Sequence, residues 1–391
     1  MKKRWFIIFF VFVVLLTACS GQGVKKSPEE EKSISTSDMG EVGEETRIIQ
    51  DMRGKEVEIP KEIQKVAIID KGFILENMVA MGLEDKIVAQ GGLVDAPQDE
   101  KRDLMLLAPK ILEMPTIGYP TKAVDFEALA ASNPDLVLLR NSEYIKESEI
   151  TKQVIETIEK DLKLPLIVIN GAGVYDEVTM DHHYEGIKLL GELFQVEDRA
   201  NEIVDHLKGL VDMIYDRTKD IKEEDKAKVM YMAFLADESV ATVWGKEVGD
   251  AKFTESYVNI KNAYQEETRT KMSAEQILAI DPDALVLGTN SVVPYPNIIE
   301  EEEKYKDLRS LQAVENKRVT CLGKLTWWGD YRLEFPSILM ISAKVAYPEK
   351  FEDIALGEWI DQYHQFLYPK LSQEEIKELK KLQAIEWVDE L

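Results

Sequence analysis

The chain has 391 residues, 48 of them basic and 73 acidic, for a formal net charge of −25. That length exceeds one typical core and points to two domains, while the apolar content is that of a soluble globular protein. The acidic excess excludes a nucleic-acid binder, whose phosphate partner demands a basic face, and fits a soluble surface or a basic docking partner.

In chain order, Lys2, Lys3 and Arg4 precede the continuous apolar run Trp5 to Leu16. About a dozen residues is short for a bilayer span and matches the core of a signal peptide. The run ends in "LTAC", Leu16 to Cys19, which resembles a bacterial lipoprotein lipobox. Cleavage before Cys19 then leaves residues 1–18 as a removed signal peptide and a lipid-modified cysteine as a membrane anchor; an uncleaved signal anchor is the alternative. Residues 19–45 are rich in Gly, Ser and Glu without an apolar period, the composition of a disordered tether.

The body then alternates short apolar runs with helical patterns. "KVAIID" (Lys65–Asp70), "KIVAQ" (Lys86–Gln90), "DLVLL" (Asp135–Leu139) and "LPLIVIN" (Leu164–Asn170) read as strands, as do "KVMYMAF" (Lys228–Phe234), "ALVLG" (Ala284–Gly288) and "RVTCLG" (Arg318–Gly323). "ILENMVAMGL" and "DFEALAASN" read as helices between them. This alternation predicts α/β architecture. The halves share one unit. "FEALAASNPDLVLL" (Phe126–Leu139) and "AEQILAIDPDALVLG" (Ala274–Gly288) each run glutamate, helix, polar-Pro-Asp, strand, with Glu127 and Glu275 seven residues before Pro134 and Pro282. Proline after a polar residue ends the helix and opens the extended segment. Two similar α/β lobes follow, residues 46–178 and 223–391. Between them, 179–222 carries apolar residues at helical spacing, with "QVED" at Gln195 to Asp198 offering a second helix start. A helix joining the lobes restricts them to small movements.

Chemistry-bearing motifs are scarce. Cys321 is the one cysteine after Cys19, so no internal disulfide forms, and its apolar setting reads as a buried strand thiol. The histidines are His182, His183, His206 and His364; none has zinc-ligand spacing, and no nucleophile elbow exists. No catalytic residue, metal ligand or cofactor is expected, and an enzyme is disfavoured. The unusual stretch is "KLTWWGDYRLEF" (Lys324–Phe335), which crowds Trp327, Trp328, Tyr331 and Arg332 around a Gly-Asp turn. Adjacent rings in an extended segment face opposite sides, so the stretch reads either as a lid on a core or as a platform for a flat, bulky or anionic ligand.

Taken in order, the lobe pair, the linking helix, the lipobox, "RGKEVEIPKEIQKVAI", "LENMVAMGLEDKIVA", "LLGELFQVEDRANEIV", "LQAVENKRVTCL" and the closing-helix segment "AKVAYPEKFEDI" resemble the substrate-binding proteins of ABC importers for iron–siderophore complexes, haem and cobalamin. The resemblance covers Arg47 to Leu382. It implies two α/β lobes joined by a long interlobe helix, with the ligand in the cleft between lobes. Glu127 and Glu275 match glutamates that dock onto permease arginines; solvated helix-start glutamates are the plainer reading. Ligand positions fall just before them: Tyr119 and Thr121 in the first lobe, Arg269 and Thr270 in the second. Trp244 falls on a cleft loop, with simple strand burial as the alternative reading, and the Trp327 to Arg332 loop also faces the cleft. A phenol and a guanidinium suit an anionic chelate; Tyr119 also reads as a haem-iron ligand or as a strand-end tyrosine with a polar tip.

The expectation is therefore a monomeric, lipid-anchored extracytoplasmic receptor. It captures an iron(III) complex, a siderophore first and haem or a corrinoid otherwise, and delivers it to an ABC permease with its cytoplasmic ATPase. A surface adhesion or interaction lipoprotein is the alternative of another class.

Overall fold

The computed structural model describes residues 45–70, 72–91, 102–120, 123–141, 149–171, 174, 179–236, 240–325 and 333–390. Strands β1 (Thr46–Gln50) and β2 (Glu56–Pro60) form an antiparallel hairpin. Next come β3 (Val66–Ile69), α1 (Phe73–Ala80), β4 (Ile87–Gln90), α2 (Arg102–Leu107), the two-residue strands β5 (Gly118–Tyr119) and β6 (Ala123–Val124), α3 (Phe126–Ala131), β7 (Leu136–Asn141), α4 (Glu149–Glu156) and β8 (Leu166–Asn170). Strands β4-β3-β7-β8 form a sheet in that order, parallel throughout. Its strands read as unbroken apolar runs because both faces are covered. Val66, Ile68, Leu136 and Leu138 face one core, and Ala67, Ile69, Val137 and Leu139 the other, the two-residue alternation of a strand.

Helices α5 (Asp181–Phe194) and α6 (Glu197–Thr218) follow. The segment expected to link the lobes is thus two helices, and the break is built from local chemistry. Gln195 takes a left-handed conformation at φ 56°. Val196 N donates to Gly191 O and Gln195 N to Glu192 O, the bond pair that closes a helix C-terminus. The Arg47 guanidinium from β1 binds the carbonyls of Glu192 and Leu193 at 3.1 and 2.6 Å, adding positive charge at the negative helix end. Gly191 is required at the crossing, since a Cβ there would stand 2.4 Å from the Cβ of Ala200.

The second half contains β9 (Lys228–Phe234), β10 (Val240–Val243), α7 (Gly249–Val258), β11 (Lys261–Asn262), β12 (Thr270–Ser273), α8 (Ala274–Ile280), β13 (Ala284–Leu287), α9 (Ile298–Glu301), α10 (Gln312–Glu315) and β14 (Val319–Cys321). The sheet order is β12-β10-β9-β13-β14, with β11 also on β9. Strands β9, β13 and β14 are parallel, whereas β10 runs antiparallel to β9 and β12. Helix α11 (Phe335–Ala346) was expected to close the fold. It does not: α12 (Leu356–Leu367) and α13 (Gln373–Leu382) follow. One apolar core runs from the first sheet through α5 and α6 into the second sheet and these last helices. No helix among the described residues is long and apolar enough to cross a membrane.

The duplicated unit is real down to its hydrogen bonds. Asn133 and Asp281 leave their helices left-handed at φ 45° and 46°. After the prolines, Asp135 Oδ2 accepts from Gln64 N and Lys65 N at 2.8 Å each, and Asp283 Oδ2 accepts from Lys228 N at 2.8 Å. In return, Asp135 N donates to Lys65 O and Asp283 N to Lys228 O. Each aspartate therefore clasps the start of the strand beside it, β3 in one lobe and β9 in the other.

Candidate functional site

In an open parallel sheet, ligands bind outside the carboxyl ends of the strands. In the first sheet those ends carry Asp70 after β3, Arg140 and Asn141 on β7, and Asn170 on β8. Asp70 Oδ2 accepts from Ile74 N at 2.6 Å and so caps α1, while Asn141 Nδ2 donates to Asn170 Oδ1 at 3.2 Å. The Arg140 guanidinium is 3 % exposed and lies 3.8 Å from the centre of the Phe73 ring. Phe73 in turn touches the imidazole of His183, with centroids 5.5 Å apart. Burial pushes His183 well below the usual histidine range, and the Arg140 charge pushes it further the same way. The arrangement is a neutral imidazole and a fixed cation stacked on an aromatic face. It lies at the carboxyl end of an inner strand, and the sequence reading missed it. One signal was available: Arg140 and Asn141 follow the apolar run of β7.

The second half meets this edge directly. Leu333 N donates to Glu76 Oε2 of α1 at 3.4 Å, and Tyr363 Oη of α12 donates to Leu333 O. Gln383 Nε2 donates to Glu334 Oε1 at 3.4 Å. The segment before α11 and the last helices thus reach α1 of the first half.

Of the residues expected to bind ligand, Tyr119 is half-buried on the β5–β6 hairpin. Ile117 N bonds Gln90 O at 2.8 Å, and Gly118 O packs where a Cβ on Gly91 would sit. These contacts hold Tyr119 next to the carboxyl end of β4. In the second half, Trp244, Arg269 and Thr270 come together. Trp244 leaves β10, donates its N–H to Tyr231 O, and lays its indole against Gly288 at the carboxyl end of β13. A Cβ on Gly288 would stand 2.7 Å from that ring, so the glycine makes the indole's seat. Trp244 is only 9 % exposed; the exposed group is Arg269, whose guanidinium stands 5.3 Å from the indole centre. Thr270, half-buried, pairs with Val243. Trp244 is thus a floor and Arg269 the presented charge. Thr121, Trp327, Trp328, Tyr331, Arg332 and Cys19, the residue expected to carry a lipid, lie outside the described residues.

Glu127 and Glu275 are both exposed and both occupy the second position of their helices. The caps differ in residue but not in role. Asp125 Oδ1 accepts from Glu127 N and Ala128 N at 3.0 and 2.9 Å, and Ser273 shares a reciprocal capping box with Gln276. Neither glutamate is consumed by its own cap. Among the described residues, no group of three His, Cys, Asp or Glu is placed to hold a metal ion. Burial pushes the Cys321 thiol up to about 12, which leaves it unreactive.

The profile of the periplasmic binding protein family matches residues 70–324 of this chain. The chain is similar to the molybdate-binding protein MolA of Haemophilus influenzae, 23% identical over 346 residues, which cover 82% of this chain and 91% of MolA. It is also similar to YvrC of Bacillus subtilis, an uncharacterized ABC transporter substrate-binding lipoprotein, 26% identical over 293 residues, 73% of this chain and 81% of YvrC. Among solved structures, a periplasmic solute binding protein from Veillonella parvula superposes with a TM-score of 0.70 at 20% identity, over 87% of this chain and 99% of that one.

Proposed function

The chain belongs to the periplasmic binding protein family and is a substrate-binding protein of an ABC transporter, and we propose that it captures a bulky anionic iron(III) chelate, a siderophore complex, for delivery to the permease. The observation that carries this reading is the exposed Arg269 guanidinium over the Trp244 indole, whose ring rests on Gly288 at the carboxyl end of β13. Half-buried Tyr119 adds an aromatic ring next to the carboxyl end of β4 in the first sheet, and a buried Arg140–Phe73 stack lies elsewhere at that sheet's strand ends. Aromatic faces suit the ligand rings of a chelate, and guanidinium forks suit its carboxylate or catecholate oxygens. Haem or a corrinoid would use the same surface. Capture and release need no catalytic group, and the relatives are binding proteins of transporters.

In this reading, Cys19 bears the lipid, residues 19–45 tether a monomeric domain to the outer face of the cell membrane, and Glu127 and Glu275 dock it on the permease. Two carboxylates on separate lobes give an oriented, salt-sensitive contact.

A second reading is a small oxyanion. It is favoured by the similarity to a molybdate-binding protein along most of the chain and by the buried Arg140 beside neutral His183, a compact donor set. Titration of residues 20–391 with ferric catecholate siderophore, haem, cobalamin and molybdate, followed by tryptophan emission, separates the readings. Saturable quenching by the ferric complex, weakened at least tenfold by Arg269→Ala, is expected. A response to molybdate alone, or to none of the four, overturns the siderophore reading.

A further inference from the structure

A pocket of ≈ 210 Å³ lies away from the strand-end site, among the last turn of α1, the end of α2, the first turn of α6 and the link between α12 and α13. Helix α1 starts at the strand ends with Phe73 and runs eight residues, so the pocket sits about 12 Å away at its other end. None of the strand-end residues lines it. Its walls are mainly apolar, with Val79, Ala80, Met81, Leu107 and Leu371 among the lining residues.

The charged groups at the wall are already committed, with one exception. Arg199 Nε donates to Ala80 O at 3.2 Å, its Nη2 to Phe366 O and Leu367 O at 2.7 and 3.2 Å, and its Nη1 to Glu202 at 3.3 Å. That guanidinium is a bracket between helices and has little left for an anion. Lys370, mostly exposed, meets Glu84 Oε1 at 3.2 Å on the rim. The exception is Glu84 Oε2, which is shielded from water and has no hydrogen-bond partner among the described residues. A shielded acceptor left without a donor is costly, and a donor arriving from the pocket would satisfy it.

We propose that this pocket is a second small-molecule site, for a neutral apolar ring that carries one hydrogen-bond donor. An apolar cavity of ~150 Å³ already holds benzene, so this volume admits a fused bicycle. An anion is opposed by Glu84 and finds Arg199 saturated. A gap between packed helices is a common place for such sites.

Indole and indene, near-isosteric rings with and without an N–H donor, test the proposal. Residues 20–391 are titrated with each by calorimetry. Indole is expected to bind one to one and at least tenfold tighter than indene. Glu84→Leu brings the two affinities together, and Ala80→Phe, which fills the hole, abolishes both; should Ala80→Phe fail to fold, Leu371→Trp blocks the pocket from the opposite wall. Equal affinities in the wild-type protein, no saturable binding of either ring, or indole binding that survives both filling substitutions overturns the proposal.

Discussion

Replacing His364 by leucine isolates one contribution to acid sensitivity. His364 sits on α12 with 0 % exposure, and neither ring nitrogen has a hydrogen-bond partner among the described residues. Its neighbour Lys380, itself 1 % exposed, is held between Asp361 at 2.6 Å and Asp389. Burial first, and the Lys380 charge second, bring the imidazole pKa down to about 3. In the unfolded chain the same group titrates near about 6.5. Below that pH the unfolded state takes up a proton that the folded state refuses, so stability is fully present above about 6.5 and is lost as pH falls toward the folded value. Integrated from pH 7 to pH 5, one such histidine costs about 2 kcal/mol. His183 moves in the same direction and remains in the variant. Urea denaturation of wild type and His364→Leu at both pH values reads the difference. At pH 7 the variant is expected within ~1 kcal/mol of wild type, because a neutral ring with two unmet nitrogens contributes little beyond its volume. At pH 5 the variant's loss is expected to be smaller by about 2 kcal/mol. An identical loss in both proteins refutes the reasoning, since His364 would then be protonating in the folded state or be hydrated there.

The clasp aspartates and the helix-start glutamates give two further predictions. Asp135→Ala strands two backbone donors and Asp283→Ala one, so at about 1 kcal/mol per bond the first is expected to destabilise roughly twice as much in urea melts; equal losses would show that the clasps are not the source. Glu127→Arg with Glu275→Arg is expected to abolish uptake in cells while leaving chelate affinity unchanged. Because both N-caps survive the change, the stability cost is limited to the helix-dipole contribution, about 0.3–1 kcal/mol at each site, and a fall in chelate affinity would contradict a docking role.

Strands were legible wherever burial on both faces imposed an apolar run: all seven of the runs named from the sequence form strands at those positions. The repeat was legible because its proline and aspartate have local jobs. Strands β10 and β12 were not, since the antiparallel edge carries polar residues such as Thr242 and Lys271. Helices α12 and α13 escaped because a proline at 348, just after α11, looks like an ending. At the site, Arg269, Thr270 and Trp244 were named from their positions, but their contact joins residues 25 apart through a sheet edge. Arg140, Phe73 and His183 meet only through tertiary packing of β7, α1 and α5, a proximity that no local period encodes.

The aspartate clasps also turn the two lobes into calibrated bodies. Each ties the end of its helix to a neighbouring strand, β3 in one lobe and β9 in the other, using the same short stitch on both sides. Local wobble is thereby removed from the positions of Glu127 and Glu275, and their separation reports only how one lobe stands to the other. The pair acts as a caliper: a partner gripping both carboxylates would measure lobe geometry, and probes placed beside them would read the same gauge.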